Sequence, residues 1–161
     1  MSIHILSSHL KLESFTFVAV MAKMVYVTRR ERFNAAHKLW NPSWSDERNK
    51  EIFGKCANPN WHGHNYELFV TVKGVPQAET GYCIDLKFLS DLIEERVIQH
   101  MDHRNLNIDV PFLTGQMTSC EVVAIAIWEQ LEEPIGKMNC KLHSVRLHET
   151  ENNMVEYFGG N

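Results

Sequence analysis

The sequence predicts an α+β domain: an antiparallel four-stranded sheet with two helices on one face, in the order β-β-α-α-β-β. Three observations carry this expectation. Runs of aromatic and β-branched residues open and close the chain's folded part, as strands require. Between them lie two stretches with apolar residues at helical spacing. Turn-forming Pro, Gly and Asn residues punctuate the boundaries. At 161 residues and 44% hydrophobic content the chain has enough apolar mass for one core, so a single domain is expected over 25–161.

The first strand is expected over Val25 to His37, ending Phe33-Asn34-Ala35-Ala36-His37. Asn41 to Gly54 mixes polar and charged residues with Trp44 and Phe53, and reads as a long loop or short helix leading to Cys56. A second strand follows from His62 or His64 to Lys73, and Gly74 to Gly81 makes a turn. Asp85 is placed to cap a helix in which Leu86, Leu89, Leu92, Ile93, Val97 and Ile98 form the apolar stripe, ending near Met101. Asn105 to Gln116 is a loop broken by Pro111 and Gly115. Thr118 and Glu121 have capping-box spacing ahead of a second helix whose buried stripe is Val122, Val123, Ala126, Ile127 and Leu131. Pro134 and Gly136 close it. A hairpin ends the chain: Lys141 to Thr150, a turn at Asn152-Asn153, and Met154 to Phe158. Two helices leave the other sheet face uncovered, and self-association is the simplest cover.

Composition excludes several classes. A net charge of −4 gives no basic footprint for nucleic acid. No apolar run is long enough to span a membrane. Four cysteines at 56, 83, 120 and 140 match no compact disulfide scaffold, and a cytoplasmic setting is expected. Residues 1–24 are expected to be an extension outside the core. Phe15 to Ala22 has the apolarity of a signal-peptide centre, but its flank offers only Lys11 and also carries Glu13.

The chemistry concentrates between Cys56 and Val72. On a strand, His62 and His64 share one face, and Gly63 adds no bulk to the other. If the first strand pairs alongside, His37 joins them. Three neutral imidazoles leave a tetrahedral ion one open position, the layout of a catalytic zinc site. Adding Cys56 as a fourth ligand would close the site and make it structural, so both arrangements stand at this point.

Several separated motifs together resemble the 6-pyruvoyl-tetrahydropterin synthase family. They are His37, Cys56-x5-His62-Gly63-His64-Asn65-Tyr66, Asp102-His103-Arg104-Asn105-Leu106, Glu121, and Glu149-Thr150-Glu151-Asn152-Asn153. The resemblance spans about residues 26 to 158. It implies the tunnelling fold, in which three subunits join their sheets into a barrel and two trimers stack as a homohexamer. It implies a lyase of tetrahydrobiopterin biosynthesis that converts 7,8-dihydroneopterin triphosphate to 6-pyruvoyl-tetrahydropterin with release of triphosphate.

Residue by residue, the resemblance implies one Zn2+ per subunit on His37, His62 and His64, and Mg2+ accompanying the triphosphate. Cys56 becomes the proton-abstracting group, left off the metal. Asp102 and His103 become its catalytic partners, reaching it from a neighbouring subunit. Glu149 anchors the pterin ring, binding the 2-amino group and adjacent N–H in parallel, and Glu121 is a second pocket residue. Family members usually carry threonines just before this glutamate, where Ser119 and Cys120 stand here, so a hydroxyl contact is missing at 120. Arg29, Arg30, Arg32 and Lys38 are candidates for the triphosphate. A related possibility is 6-carboxy-tetrahydropterin synthase, whose bacterial members usually have a shorter Cys-to-His interval than the six-residue step here. The remaining alternative is a zinc-stabilised binding module without catalysis.

Overall fold

The computed structural model describes residues 23–160. The expected extension therefore lies outside the described residues, apart from exposed Lys23 and Met24. Strand β1 (Val25–His37) pairs antiparallel with β2 (His62–Gly74) along its full length, from Val25 opposite Gly74 to His37 opposite His62. A short helix, α1 (Asp46–Phe53), and a 3-10 turn (Gly54–Ala57) fill the connection. Ser45 caps α1, its side chain accepting the Arg48 amide.

Helix α2 (Leu86–Ile93) begins as expected at Asp85, whose carboxylate accepts the Lys87 amide at 2.7 Å. It runs through a π-helical stretch (Glu94–Ile98) into α3 (Gln99–Met101), so the helical unit ends at Met101. The π-turn adds a residue per turn, and Val97, Ile98 and Met101 all point into the core. Leu86 departs from the expected stripe and is exposed.

Helix α4 (Cys120–Gly136) is followed by β4 (Cys140–His148) and β5 (Met154–Tyr157). The capping box expected at its start does not form. Ser119 is the N-cap residue and makes no side-chain cap bond. Thr118 is fully buried, and its hydroxyl donates instead to the Lys38 carbonyl and to Asn107 Oδ1. Tertiary partners have won over the local cap.

The sheet has five strands rather than four, in the order β3-β1-β2-β4-β5, where β3 is the two-residue Arg104–Asn105. It pairs parallel with β1, so the sheet is mixed. The addition follows from where the helical unit delivers the chain. The His103 amide donates to Asn34 O at 2.6 Å and the Leu106 amide to Ala36 O at 2.8 Å, satisfying the outer edge of β1.

Both helical units pack on one sheet face over Phe33, Tyr66, Leu68, Val70, Val145 and Leu147. Alternate residues point the other way. There Arg30 and Arg146 flank the Phe69 ring, Arg30 and Arg32 pair with Glu67, and Tyr26 is 59% exposed. No described helix is long and apolar enough to cross a membrane.

Candidate active site

The site forms where β1 and β2 end. Register and the two-residue period place His37, His62 and His64 on the helix-bearing face. Gly63 lies between two of them because β1 passes close by: a Cβ there would come 3.0 Å from the Ala35 carbonyl oxygen. One nitrogen from each histidine lies within 4.8 Å of the others. Cys56 is not in this group, so the described residues assemble the open three-histidine set and not the closed four-ligand one.

The state of these imidazoles is set by their surroundings. His37 is 1% exposed, and its Nδ1 donates to the Thr118 carbonyl at 2.8 Å. A carbonyl only accepts, so in the neutral ring the lone pair falls on Nε2. Burial lowers the pKa of His37 and of His62, which favours the neutral, ligating form of both. His37 Nε2, His62 Nδ1 and His64 Nε2 are all buried without a hydrogen-bond partner. Buried ring nitrogens without partners are costly unless something shares them, and imidazole nitrogens that converge suit a divalent cation. The donor set could hold a metal ion.

Glu149 stands beside the cluster, with Oε1 3.5 Å from His37 Nε2 and 3.8 Å from His64 Nε2. It lies one period of two beyond core-facing Leu147, a parity that the strand pattern already contained. Next to it a cavity of about 430 Å3 is lined by His37, Cys56, Cys120, Glu121, Glu149 and Asn153. Cys56 sits in the 3-10 turn, whose position is tied to β1 by the Leu39 amide donating to Cys56 O at 2.9 Å. Cys120 is the other thiol on this wall. Burial pushes it up to about 12, and it donates to the Leu147 carbonyl at 3.6 Å. It is a neutral thiol and unsuited to take a proton. Glu121 lies in the first turn of α4, where the helix dipole favours a carboxylate.

Asp102 and His103 are not brought to Cys56 within the chain. They lie at the β3 edge, where His103 lines a different cavity with Asn34, Gly63 and Asn65. The pair is well built: Asp102 Oδ1 accepts the Asn34 amide at 2.8 Å, and Oδ2 lies 2.9 Å from His103 Nδ1. The Asn34 hydrogen bond foremost, with His103 adding to it, holds the Asp102 carboxyl below its ordinary range. His103 takes a left-handed backbone, φ 57°. Thr118, read from the sequence only as a cap, orients His37 through its carbonyl, and Tyr66, read only as part of the family motif, has a buried hydroxyl without a partner.

An α+β sheet carrying three convergent imidazoles that could hold a metal ion, beside a pocket with two thiols and carboxylates, has the make-up of a metal-site enzyme. Comparison with known proteins makes this specific. The family model for 6-pyruvoyl tetrahydropterin synthase matches residues 26–160. The Homo sapiens 6-pyruvoyl tetrahydrobiopterin synthase is 43% identical over 135 residues, covering 83% of this chain and 90% of the relative. The Dictyostelium discoideum protein of that name is 41% identical over 139 residues, covering 86% and 99%. The solved Caenorhabditis elegans 6-pyruvoyl tetrahydropterin synthase matches with a TM-score of 0.79 and 36% identity, over 86% of this chain and 97% of that one. The chain belongs to the 6-pyruvoyl tetrahydropterin synthase family and is a lyase of that kind.

Proposed function

We propose that the protein converts 7,8-dihydroneopterin triphosphate to 6-pyruvoyl-tetrahydropterin with release of triphosphate, and that His37, His62 and His64 hold a zinc ion for it. The observation that carries this is the convergence of three orphaned imidazole nitrogens beside a cavity walled by Cys56 and Glu149. When bound, the metal supplies Lewis-acid chemistry that acidifies C–H bonds next to the substrate's side-chain oxygens.

The remaining work falls to the chain's own groups. Glu149 accepts the two ring donors and orients the pterin. Cys56 takes the side-chain proton, and His103, oriented by Asp102, exchanges protons with it. The side chain is oxidised as the ring is reduced, so no external redox partner is needed. Glu121 completes the pocket wall, and Mg2+ accompanies the triphosphate. The separation of His103 from Cys56 within one chain supports a site shared between subunits, as a homohexameric barrel would provide. That barrel would also cover the open sheet face. The four free cysteines favour a cytoplasmic setting.

Product analysis tests the reading. Purified, metal-loaded protein with 7,8-dihydroneopterin triphosphate is expected to yield 6-pyruvoyl-tetrahydropterin and inorganic triphosphate. Recovery of 6-carboxy-tetrahydropterin would transfer the protein to the related synthase, and unchanged substrate would leave a binding module. A separate measurement addresses the ligands. Single alanine variants at His37, His62 and His64 are expected to retain far less zinc per chain on elemental analysis. Near-stoichiometric zinc in both His62→Ala and His64→Ala would overturn the assignment.

A further inference from the structure

We propose that Lys38 and Trp61, with Trp40, form a cation–π staple that positions His37 and His62 for the metal. The proposal rests on the metal-site reading above. His37 and His62 are the last register pair of β1 and β2. One step beyond them stand Lys38 and Trp61. The Lys38 ammonium lies 4.6 Å from the Trp61 ring centroid and 4.9 Å from that of Trp40, within the range of a cation–π contact on each.

The two sides of this staple are held very differently. Lys38 is anchored through its backbone. Its amide donates to Asn107 Oδ1 at 3.0 Å, and its carbonyl accepts from Asn107 Nδ2 at 3.0 Å and Thr118 Oγ1 at 3.2 Å. Thr118 in turn accepts from His37 Nδ1, so β1, Lys38 and His37 form one fixed unit. His62 closes the β1–β2 ladder opposite His37, and beyond it the chain turns at Trp61, which has φ 65°. A bulky aromatic residue is disfavoured in that left-handed conformation, and glycine would adopt it freely. Its amide donates to Asn58 O at 3.0 Å, which sets the turn but ties nothing to β1. Strained residues persist where surrounding contacts over-determine them, and the ammonium seated against two indoles is such a contact. It carries the fixed position of Lys38 across to Trp61 and adds a side-chain tie just beyond the last ladder pair, at His62. The same contact engages the lysine that the sequence offered as a triphosphate ligand.

The test exploits two effects of opposite sign. Trp61→Gly relieves the left-handed backbone, and Lys38→Met removes a positive charge from the neighbourhood of a cation site, which by Coulomb's law favours metal. A stack that is only surface packing would leave metal affinity unchanged or slightly improved in both. A positioning role predicts the reverse. Co2+ affinity, measured by competition with a chromophoric chelator, should weaken about 10-fold in each variant, the low end of outer-shell effects. The cobalt ligand-field band should change with it. Lys38→Arg keeps a cation over the indoles and should restore both readouts. Thermal melts of the metal-free proteins accompany the titrations, to show that the variants fold.

Affinities within about two-fold of the unvaried protein, far from outer-shell magnitudes, would overturn the proposal. Should Trp61→Gly fail to fold, the lysine pair decides: weakening by methionine without rescue by arginine also overturns it. Failure of the unvaried protein to bind Co2+ would instead refute the metal-site reading itself.

Discussion

Cys56→Ala is expected to lower kcat by about 10²–10⁴, the usual contribution of a general base, while zinc content and substrate binding stay close to those of the unvaried protein. The two halves of this expectation have separate grounds. Turnover should fall because Cys56 and Cys120 are the thiols of the cavity wall, and Cys120, pushed up to about 12 by burial and bonded to the Leu147 carbonyl, cannot substitute. Zinc should stay because the convergent ligand atoms belong to His37, His62 and His64, without Cys56. The fold should tolerate the change as well. The 3-10 turn is tied to β1 through the Cys56 carbonyl, which alanine keeps. Single-turnover kinetics with elemental analysis of the same preparation checks both. Loss of zinc alongside activity would support the closed four-ligand site instead. Near-normal turnover with zinc retained would remove Cys56 from the chemistry.

What could be read in advance followed from local periodicity. The alternation of β1 and β2 places His37, His62 and His64 on one face once the strands pair, and Gly63 between two of them is explained by the approach of the Ala35 carbonyl. Asp85 capped its helix as expected because its carboxylate reaches an amide two residues on. The failures share a cause. Thr118 and Glu121 had the spacing of a capping box, but the Thr118 hydroxyl found partners on Lys38 and Asn107, distant in sequence. Strand β3 is two residues long, too short for any period to show, and exists because the Asn34 and Ala36 carbonyls needed donors. The π-turn within the first long helix left no mark on its apolar spacing. For Glu149 the parity with Leu147 was visible, but its approach to two imidazoles depends on how β4 lies beside β2. Periodicity is silent on which charged residues outside the histidine cluster join the site, and the proposal for Asp102, Glu121 and Glu149 comes from the family motifs.

Mixing two inactive proteins is expected to regenerate activity. Cys56→Ala retains an intact Asp102–His103 pair, and a His103 variant retains an intact Cys56. Within one chain the two lie apart. Cys56 lines the cavity with Glu149, whereas His103 lines a different one, at the β3 edge with Asn34 and Asn65. If each site draws Cys56 from one subunit and His103 from its neighbour, random equal mixing makes about a quarter of the sites whole in a closed symmetric ring. His103→Asn is the better partner for the experiment than an alanine variant. Asparagine tolerates the left-handed backbone at this position (φ 57°), and the bond from the Asn34 amide to Asp102 remains. The β3 edge, held by backbone donors from His103 and Leu106, should therefore survive the change. Subunits would be exchanged by mild dissociation and reassembly, with mixed oligomers verified by native mass spectrometry. Recovery approaching a quarter of the unvaried rate would establish that the catalytic pair acts across the subunit boundary. No recovery in verified mixed oligomers, or full activity in an isolated monomer, would place the whole site within one chain and remove the physical reason for linking catalysis to assembly.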